Sequence, residues 1–354
     1  MKILDNYLGK SLLQTTGFTL LVLVGIGTLI KFIEQLRSVG RGTYDIMDAA
    51  LYTLYSMPND IVIFFPMAAL IGGLLGLGTL ASNSELVVMQ AAGLSRFQII
   101  LSVMKTALIL AIMMMAIAEW AVPEAQKTAK QLRTTEISGG SVFNAQKGVW
   151  AKDGNTFVNI DNVDESGRLD GVTLYQFNER LELQRIRRAA AALPLPDGWQ
   201  LKQVQTLEIT DNRTNTVNTE QLFYDSKLSP EKLGVVSVKP ETLSFSGLYS
   251  YLEYLKQNDQ NTSTYELAFW RKVAQPLTIG VMLLVALSFI FGPLRSVSMG
   301  ARIVMGVVTG IAFHLSDRIF GPIVLVYDLH PAIGAIMPSL LFFAVAIVLL
   351  KRRQ

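Results

Sequence analysis

The composition of the chain excludes an ordinary soluble protein. Its 354 residues are 51% hydrophobic and 17% charged, and the mean hydropathy of +0.37 is too high for a solvated globular domain. A net charge of +3 without a Lys/Arg tract gives no sign of nucleic-acid binding, and the absence of cysteine together with only two histidines argues against a metal centre; we expect no cofactor.

Six apolar stretches are long enough to cross a membrane as helices, which takes about 20 residues each. They are residues 11–33, 61–80, 99–121, 268–291, 303–320 and 332–350. The first is too long for the apolar core of a signal peptide and no A-x-A site follows it, so we expect an uncleaved span. The second is expected to start earlier, near Met57. Small residues at near-helical spacing predict that it packs closely against another helix: Gly72, Gly73, Gly76 and Gly78.

The bridge between the second and third spans is predicted to be a short helix rather than a loop. Ser82 and Glu85 have the S-x-x-E spacing of a capping box, and Gly93 stands where a left-handed residue would end the helix. Leu86 and Met89 make this segment too apolar for a solvated connector. Two interpretations are open, a helix lying in the lipid headgroups and a plug for a groove on a cytosolic partner.

Between the third and fourth spans the pattern changes to that of β structure. Asp-Gly occurs at 153–154, 170–171 and 197–198 beside alternating runs such as 172–177 and 199–204, a pattern that predicts hairpins. Short strands at this spacing indicate a sandwich or jelly-roll-like domain of about 130 residues. An amphipathic helix over 244–256 is predicted to return the chain to the membrane, with one face formed by Leu248, Tyr251, Leu252 and Leu255.

The predicted architecture is therefore a polytopic α-helical membrane protein of six spans with an inserted all-β domain. Residues 1–122 hold spans one to three and the short helix at about 83–92. Residues 123–265 form the β domain, and residues 266–354 hold the last three spans. An even number of spans places both termini on one side, and the distribution of Lys and Arg favours the cytoplasm. The β domain then lies outside and the short helix inside.

A group of charged residues follows the first span on the outer side. Lys31, Arg37 and Arg41 come in succession at near-helical spacing, and Glu34 lies one turn from Lys31 and Arg37. The positive-inside rule disfavours cations here. Lys31 at the rim of an apolar cavity would attract a phosphate, although a lysine that ends a span also reaches the interface by ordinary snorkelling.

A second group lies within span five. His314, Asp317 and Arg318 stand at i, i+3 and i+4 and share one face of the helix. Charged groups at membrane depth usually face a protein interior or a wet cavity. A self-neutralised pair that joins two helices and a ligand contact are both compatible with this pattern.

Several catalytic and nucleotide-binding motifs are missing from the sequence, which reduces the number of function classes to consider. The chain has no G-x-x-x-x-G-K-[ST], G-x-S-x-G or H-E-x-x-H motif, so it lacks a P-loop and these catalytic signatures. An ion-coupled carrier is expected to show repeated halves with broken helices, and an intramembrane enzyme needs paired catalytic groups. A transporter subunit driven by a separate ATPase through the short helix fits the pattern best.

Three segments carry a resemblance to a known family. Residues 63–78 (IFFPMAALIGGLLGLG), 84–90 (SELVVMQ) and 286–300 (ALSFIFGPLRSVSMG) resemble the lipopolysaccharide export permease family, and the likeness extends over the whole chain. The run 292–300 favours one of the two sister permeases of that family over the other.

The resemblance implies a subunit of an ABC exporter in the inner membrane of a Gram-negative bacterium, with its β-jellyroll in the periplasm. The subunit would pair with the permease LptF, rest on an LptB ATPase dimer, and pass lipopolysaccharide to LptC and then LptA. A lipid or glycoconjugate carrier without an ATPase, ion-coupled or otherwise, is the alternative. The family's coupling helix matches the segment at 83–92, so these residues are the expected ATPase contacts: Ser82, Glu85, Leu86, Met89 and Arg96. By the same resemblance Lys31 would face the lipid phosphates.

Overall fold

The computed structural model describes residues 2–138, 149–163, 168–195, 198–210, 213–226, 240–292 and 297–351. In chain order its first helices are α1 (Lys2–Leu36), α2 (Ile46–Ser82), α3 (Glu85–Ala91) and α4 (Arg96–Ala116). A π-helical turn (Ile117–Ala121) joins α4 to α5 (Val122–Ser138). After the β domain and a 3₁₀ turn (Pro240–Thr242) come α6 (Phe245–Gln257), α7 (Ser263–Phe291), α8 (Met299–Val326) and α9 (Pro331–Lys351).

Six helices of the described chain are long and apolar enough to cross a membrane, which confirms the predicted spans. They are α1, α2, α4 with its continuation, α7, α8 and α9. The second span starts at Ile46 instead of near Met57, because Asp45 and Asp48 form a reciprocal capping box that begins the helix there. Pro58 and Pro66 both lie inside this helix.

Close packing of α1 against α2 depends on two of the predicted glycines. A Cβ atom on Gly72 would overlap the backbone of Thr16, and one on Gly76 would lie 2.6 Å from Thr15 Oγ1. The Thr15 hydroxyl donates to the Gly72 carbonyl at 2.8 Å. Small residues thus bring the two backbones together, as the sequence predicts.

The spans differ strongly in how much of their surface the chain itself covers. In the most apolar window of α2 and of α7, 61% of the residues are buried, whereas the figure for α1 and for α8 is 17%. Helices α2 and α7 therefore form the centre of the core, together with α4. Helices α1 and α8 are peripheral, and they expose large apolar side chains such as Phe18, Leu21, Val304 and Val308.

The inserted domain is an antiparallel sheet whose six described strands lie in sequence order. This confirms the fold class of membrane helices with an inserted β domain; the described strands have a meander order without the Greek-key crossover of a jelly roll. The strands are β1 (Val149–Asp153), β2 (Thr156–Val163), β3 (Leu169–Phe177), β4 (Leu183–Leu195), β5 (Gly198–Thr210) and β6 (Arg213–Asp225).

The Asp-Gly pairs have different outcomes. The pair at 153–154 forms the predicted hairpin between β1 and β2, with Gly154 at φ +57°. The pair at 170–171 does not form a turn, so that prediction is wrong: Gly171 lies inside β3 at φ +65°, and the Asp161 side chain occupies the space a Cβ would need. Asp197 lies outside the described residues, so the prediction for this pair falls there; Leu195 of β4 pairs with Gly198 of β5.

The apolar face of the sheet is closed by α6. The predicted face of this helix is buried, and Tyr251, Tyr254 and Leu255 pack against the strand residues. The cavity left on this face measures about 10 Å³, roughly the space of one water molecule. The β domain has a filled core in this conformation.

The α1–α2 contact gives a direct stability prediction. Replacing Gly72 with Ala is expected to lower the stability of the bundle by about 1–3 kcal/mol, the usual cost of overpacking, because the methyl group meets the backbone of Thr16. The matched control is Gly25→Ala on α1, where a Cβ has nothing within 4 Å. Thermal melting of the purified protein in detergent measures both. Equal melting temperatures for the two variants would contradict the close contact.

Candidate functional site

Candidate functional residues lie at both ends of the helical bundle. At the β-domain end, Asp60 precedes Ser82 by 22 residues on α2, which corresponds to about 33 Å along a helix. Lys31 follows Lys10 on α1 by a similar distance. Since the hydrocarbon layer is about 30 Å thick, these groups lie one membrane thickness from the end that carries α3.

Lys31 is paired with a residue that the sequence analysis missed. Its Nζ donates to both carboxylate oxygens of Asp60 on α2, at 2.6 and 2.7 Å. The Lys31 side chain is 25% exposed and that of Asp60 is 9% exposed. An ion pair so little exposed is screened less by water than a surface pair. Lys31 is therefore held against α2 instead of standing as a free cation at the rim.

The neighbouring charges are arranged differently from the expectation. Helix α1 ends at Leu36, so Arg37 and Arg41 lie in the turns that follow and do not continue a helical face. Glu34 is exposed and does not neutralise Lys31, because the lysine turns toward Asp60. The side chains of Arg37 and Arg41 are also exposed, and within the described residues they have no ion-pair partner.

The cluster on α8 is tied to another helix. Arg271 on α7 donates to the backbone carbonyl of Asp317 at 2.6 Å and lies 3.5 Å from its carboxylate. Asp317 thus has a partner that joins two helices, as the first interpretation expects, although the partner is Arg271 and not a member of the cluster. His314 is half-buried and Arg318 is exposed on the same helix.

A third polar contact links the bundle to the β domain. In the π-helical turn, where α-type hydrogen bonding is interrupted, the Ala118 carbonyl accepts from Lys272 Nζ of α7 at 3.3 Å. The Glu119 carboxylate accepts from the backbone N–H of Phe245 at 2.6 Å and from the Ser246 hydroxyl at 3.0 Å. A carboxylate at a helix N-terminus also interacts favourably with the helix dipole. Glu119 therefore caps α6, the helix that closes the β domain.

At the opposite end, the predicted capping box of the short helix is wrong. Helix α2 continues to Ser82, whose hydroxyl donates back to Thr79 within its last turn. Helix α3 starts at Glu85 after Ser84, which adopts φ +60° and makes no side-chain cap. The Glu85 carboxylate instead accepts from the Tyr7 hydroxyl of α1 at 2.7 Å. A reciprocal capping box is present one segment later, between Ser95 and Gln98 at the start of α4.

The faces of α3 also differ from the prediction. Leu86 is 3% exposed and packs in the main core, so it is not available as an outward anchor in this conformation, and Met89 is partly buried against the same core. Val87 and Val88 are 45% and 64% exposed. Gly93 ends the segment at φ +93°, as predicted.

Further apolar surface surrounds α3. Phe97 is 70% exposed, and Arg96 beside it is exposed. An open groove of about 450 Å³ is lined by residues of the α1 start and of the turn after α3: Ile3, Leu4, Tyr7 and Leu94. Together with Val87 and Val88, these residues form the α3 surface.

A buried arginine connects this end of α2 to α8. Arg302 is 2% exposed and donates from Nη1 to the Gly78 carbonyl at 2.6 Å. Gly78 lies just before the last turn of α2. A Cβ on Gly78 would lie 2.9 Å from the guanidinium, so glycine allows this approach. The start of α8 is thereby anchored to the C-terminal part of α2.

The β domain carries buried polar groups of its own. Burial raises the pKa of Tyr254 to about 12, and its hydroxyl donates to the Lys152 carbonyl at 2.7 Å. Burial lowers the pKa of Arg187, a half-buried residue of β4 whose Nε has no hydrogen-bond partner. In the described part of the chain, no three His, Asp or Glu side chains are grouped as metal ligands would be.

Some of the missed residues had a signal in the sequence. Asp60 is the one carboxylate between Asp48 and Glu85, and it directly precedes the apolar run of span two, while Lys31 ends that of span one. Opposite charges at adjoining span ends suggest a pair. Tyr7 and Arg271 carried no such signal, since each is one of several polar residues near a span end.

Comparison with known proteins places these features in a family. Residues 6–352 match the model of the lipopolysaccharide export system permease LptF/LptG. The chain is 48% identical over 355 residues to the lipopolysaccharide export system permease protein LptG of Escherichia coli strain K12, covering 99% of each chain. It is 46% identical over 353 residues to LptG of Haemophilus influenzae strain Rd, again covering 99% of each. These matches confirm the resemblance, including the choice between sister permeases.

The cap on α6 gives the second prediction. Glu119→Ala is expected to cost about 0.5–2 kcal/mol of local helix stability, so amide exchange over 245–249 becomes roughly two- to thirtyfold faster. The control is Glu124→Ala, an exposed residue one turn further along. Hydrogen exchange followed by mass spectrometry measures both variants. Unchanged protection of the α6 start in Glu119→Ala would show that the carboxylate does not hold it.

Proposed function

Because the chain belongs to the lipopolysaccharide export system permease family LptF/LptG, we propose that it is a permease subunit of an ABC exporter that extracts lipopolysaccharide from the inner membrane. The relatives are permease subunits, so the chain is a transporter component and not an enzyme. It is a multi-pass inner-membrane protein. ATP hydrolysis takes place on a partner, an LptB dimer, and the lipid passes to LptC and then LptA.

The observation that carries this proposal is the unequal burial of the spans. Helices α1 and α8 have only 17% of their apolar windows buried, and they are the first and fifth spans. A second permease chain, LptF, would cover part of these faces and enclose a cavity with them. An apolar cavity suits a multi-acyl lipid, because each CH₂ moved from hydrocarbon into water costs about 0.8 kcal/mol.

The α3 surface supports an ATPase partner. A helix with apolar side chains exposed on one side and core contacts on the other has the form used in helix-in-groove recognition. Val87 and Val88 are the exposed anchors, Arg96 borders them, and the Tyr7–Glu85 hydrogen bond fixes α3 against α1. The ATPase then lies in the cytoplasm with both termini, and the β domain lies in the periplasm.

Lys31 is proposed to face the lipid phosphates at the outer end of α1, with Arg37 and Arg41 in the turns beyond it. Lipopolysaccharide carries anionic groups at this depth of the outer leaflet, and ammonium and guanidinium groups are good phosphate ligands. The role of Glu34 is to lower the net positive charge of this region. The cluster of His314, Asp317 and Arg318 belongs to the α7–α8 contact.

Reconstitution tests the proposal directly. The chain co-expressed with LptF and LptB is purified, placed in proteoliposomes that contain lipopolysaccharide, and assayed for ATP-dependent release of lipid to added LptC and LptA. Release that requires ATP and is insensitive to ionophores is expected. Release that persists without the ATPase and collapses with a proton or sodium ionophore would favour the ion-coupled carrier.

The docking role of α3 gives the third prediction. Val88→Glu places a charge on a 64% exposed position of α3 and is expected to reduce co-purification of the ATPase by at least about tenfold, as an unpaired charge in an interface costs several kcal/mol. Leu181→Glu is the matched control, a 77% exposed leucine in the β domain. Affinity purification followed by quantification of the ATPase reports the result. Normal ATPase recovery with Val88→Glu would move the docking site away from α3.

A further inference from the structure

The ion pair between Lys31 and Asp60 has a consequence for lipid binding. We propose that Asp60 is a built-in competitor for the phosphate of the exported lipid: its carboxylate holds Lys31 in the absence of substrate, and the lipid phosphate must displace it. This inference rests on the function proposed above. Under this proposal, Asp60 determines how much negative charge a lipid headgroup must carry to bind Lys31.

The geometry leaves limited room for a second anion. An ammonium has three N–H donors, and the Lys31 Nζ lies 2.6 and 2.7 Å from the two Asp60 oxygens. The Lys31 side chain is 25% exposed, so solvent or a second anion can still reach it. A phosphate that approaches Lys31 would therefore first bind the ammonium while Asp60 is still bound to it.

The charge of an incoming headgroup determines whether it can remain bound to Lys31. An anion bound to Lys31 lies within a few ångströms of the Asp60 carboxylate, which is 9% exposed and poorly screened. Like charges this close repel, so a singly charged or zwitterionic headgroup gains little over the resident carboxylate. A lipid phosphate with higher charge, held also by its acyl chains, gains more. Arg37 and Arg41 are exposed and without ion-pair partners in the described chain, so they can compensate that charge.

A purely structural role makes the opposite prediction. If the pair only fastened α1 to α2, removing the Asp60 charge would loosen the bundle and weaken binding of every lipid alike. If Asp60 competes with the lipid, removing its charge frees Lys31 and strengthens binding of phosphorylated lipids alone. The ratio of affinities for phosphorylated and dephosphorylated lipid separates the two roles, because stability affects both lipids.

The test uses the full permease–ATPase complex in nanodiscs made of zwitterionic lipid. The probes are bisphosphorylated lipid A and the same molecule after enzymatic removal of both phosphates. Asp60→Asn is expected to bind bisphosphorylated lipid A about two- to fivefold more tightly, the scale of a partly exposed ion pair, with no change for the dephosphorylated form. Lys31→Met should abolish the preference, and Lys31→Met/Asp60→Asn should behave as Lys31→Met does.

A matched control lies on α1, the helix that carries Lys31. Asp5 on α1 pairs with Lys105 on α4 at 2.7 Å, at the other end of the bundle, and Asp5→Asn should leave both affinities unchanged. Asp60→Ser is a second neutral variant in case Asp60→Asn does not assemble. Lys31 reaches water through its exposed quarter, so hydration can replace the lost partner.

The outcomes are distinguishable. Tighter binding of the phosphorylated probe alone supports competition. Equal or weaker binding of that probe by either neutral variant, with wild-type binding intact, overturns it. If the wild-type complex binds neither form of lipid A, the proposed function fails, and the competition by Asp60 fails with it.

Discussion

Charged side chains within membrane spans are costly unless they are paired, and in this molecule such pairs join several of the helices. At the β-domain end, Lys31 and Asp60 join α1 to α2 and Arg271 and Asp317 join α7 to α8. Lys272 joins α7 to the turn after α4 through a carbonyl. The apolar core alone gives little orientation, since lipid tails are as apolar as leucine. The polar contacts are directional, and they fix how the helices are oriented relative to one another.

Helix α2 connects the two ends of the bundle. It carries Asp60 at one end, Gly78 beside Arg302 near the other, and continues to Ser82 just before α3. Pro58 and Pro66 lie inside this helix, and each removes one i→i−4 hydrogen bond from it. Helix α2 still extends from the Lys31–Asp60 pair to the turn before α3, and Arg302 adds a contact from its C-terminal part to α8.

Much of this fold was predictable from the sequence, because hydrophobicity over 20 residues and period-two alternation are local signals. The six spans, the hairpin at 153–154 and the buried face of α6 were obtained in this way. The details that failed depend on tertiary contacts. Ser82 has the spacing of a capping box, yet α2 extends to this residue. The Glu85 carboxylate accepts a hydrogen bond from Tyr7 on α1 instead. Gly171 lies in a strand that pairs with β2, and the Asp161 side chain occupies the space that a Cβ would need there.

The candidate site was less predictable than the fold for the same reason. A charge pattern along one helix identifies Lys31 and Asp317 but not the residues opposite them, and those residues decide whether a cation is free or occupied. Lys31 alone would be a strong anion site; under the proposed competition, Lys31 beside Asp60 exchanges one anion for another. An exchange of this kind has a useful physical property, because the free energy of binding is then the difference between two ion pairs. Under the same proposal, a transporter that must also release its cargo benefits from such a difference, since the resident carboxylate would re-form the pair as the lipid leaves.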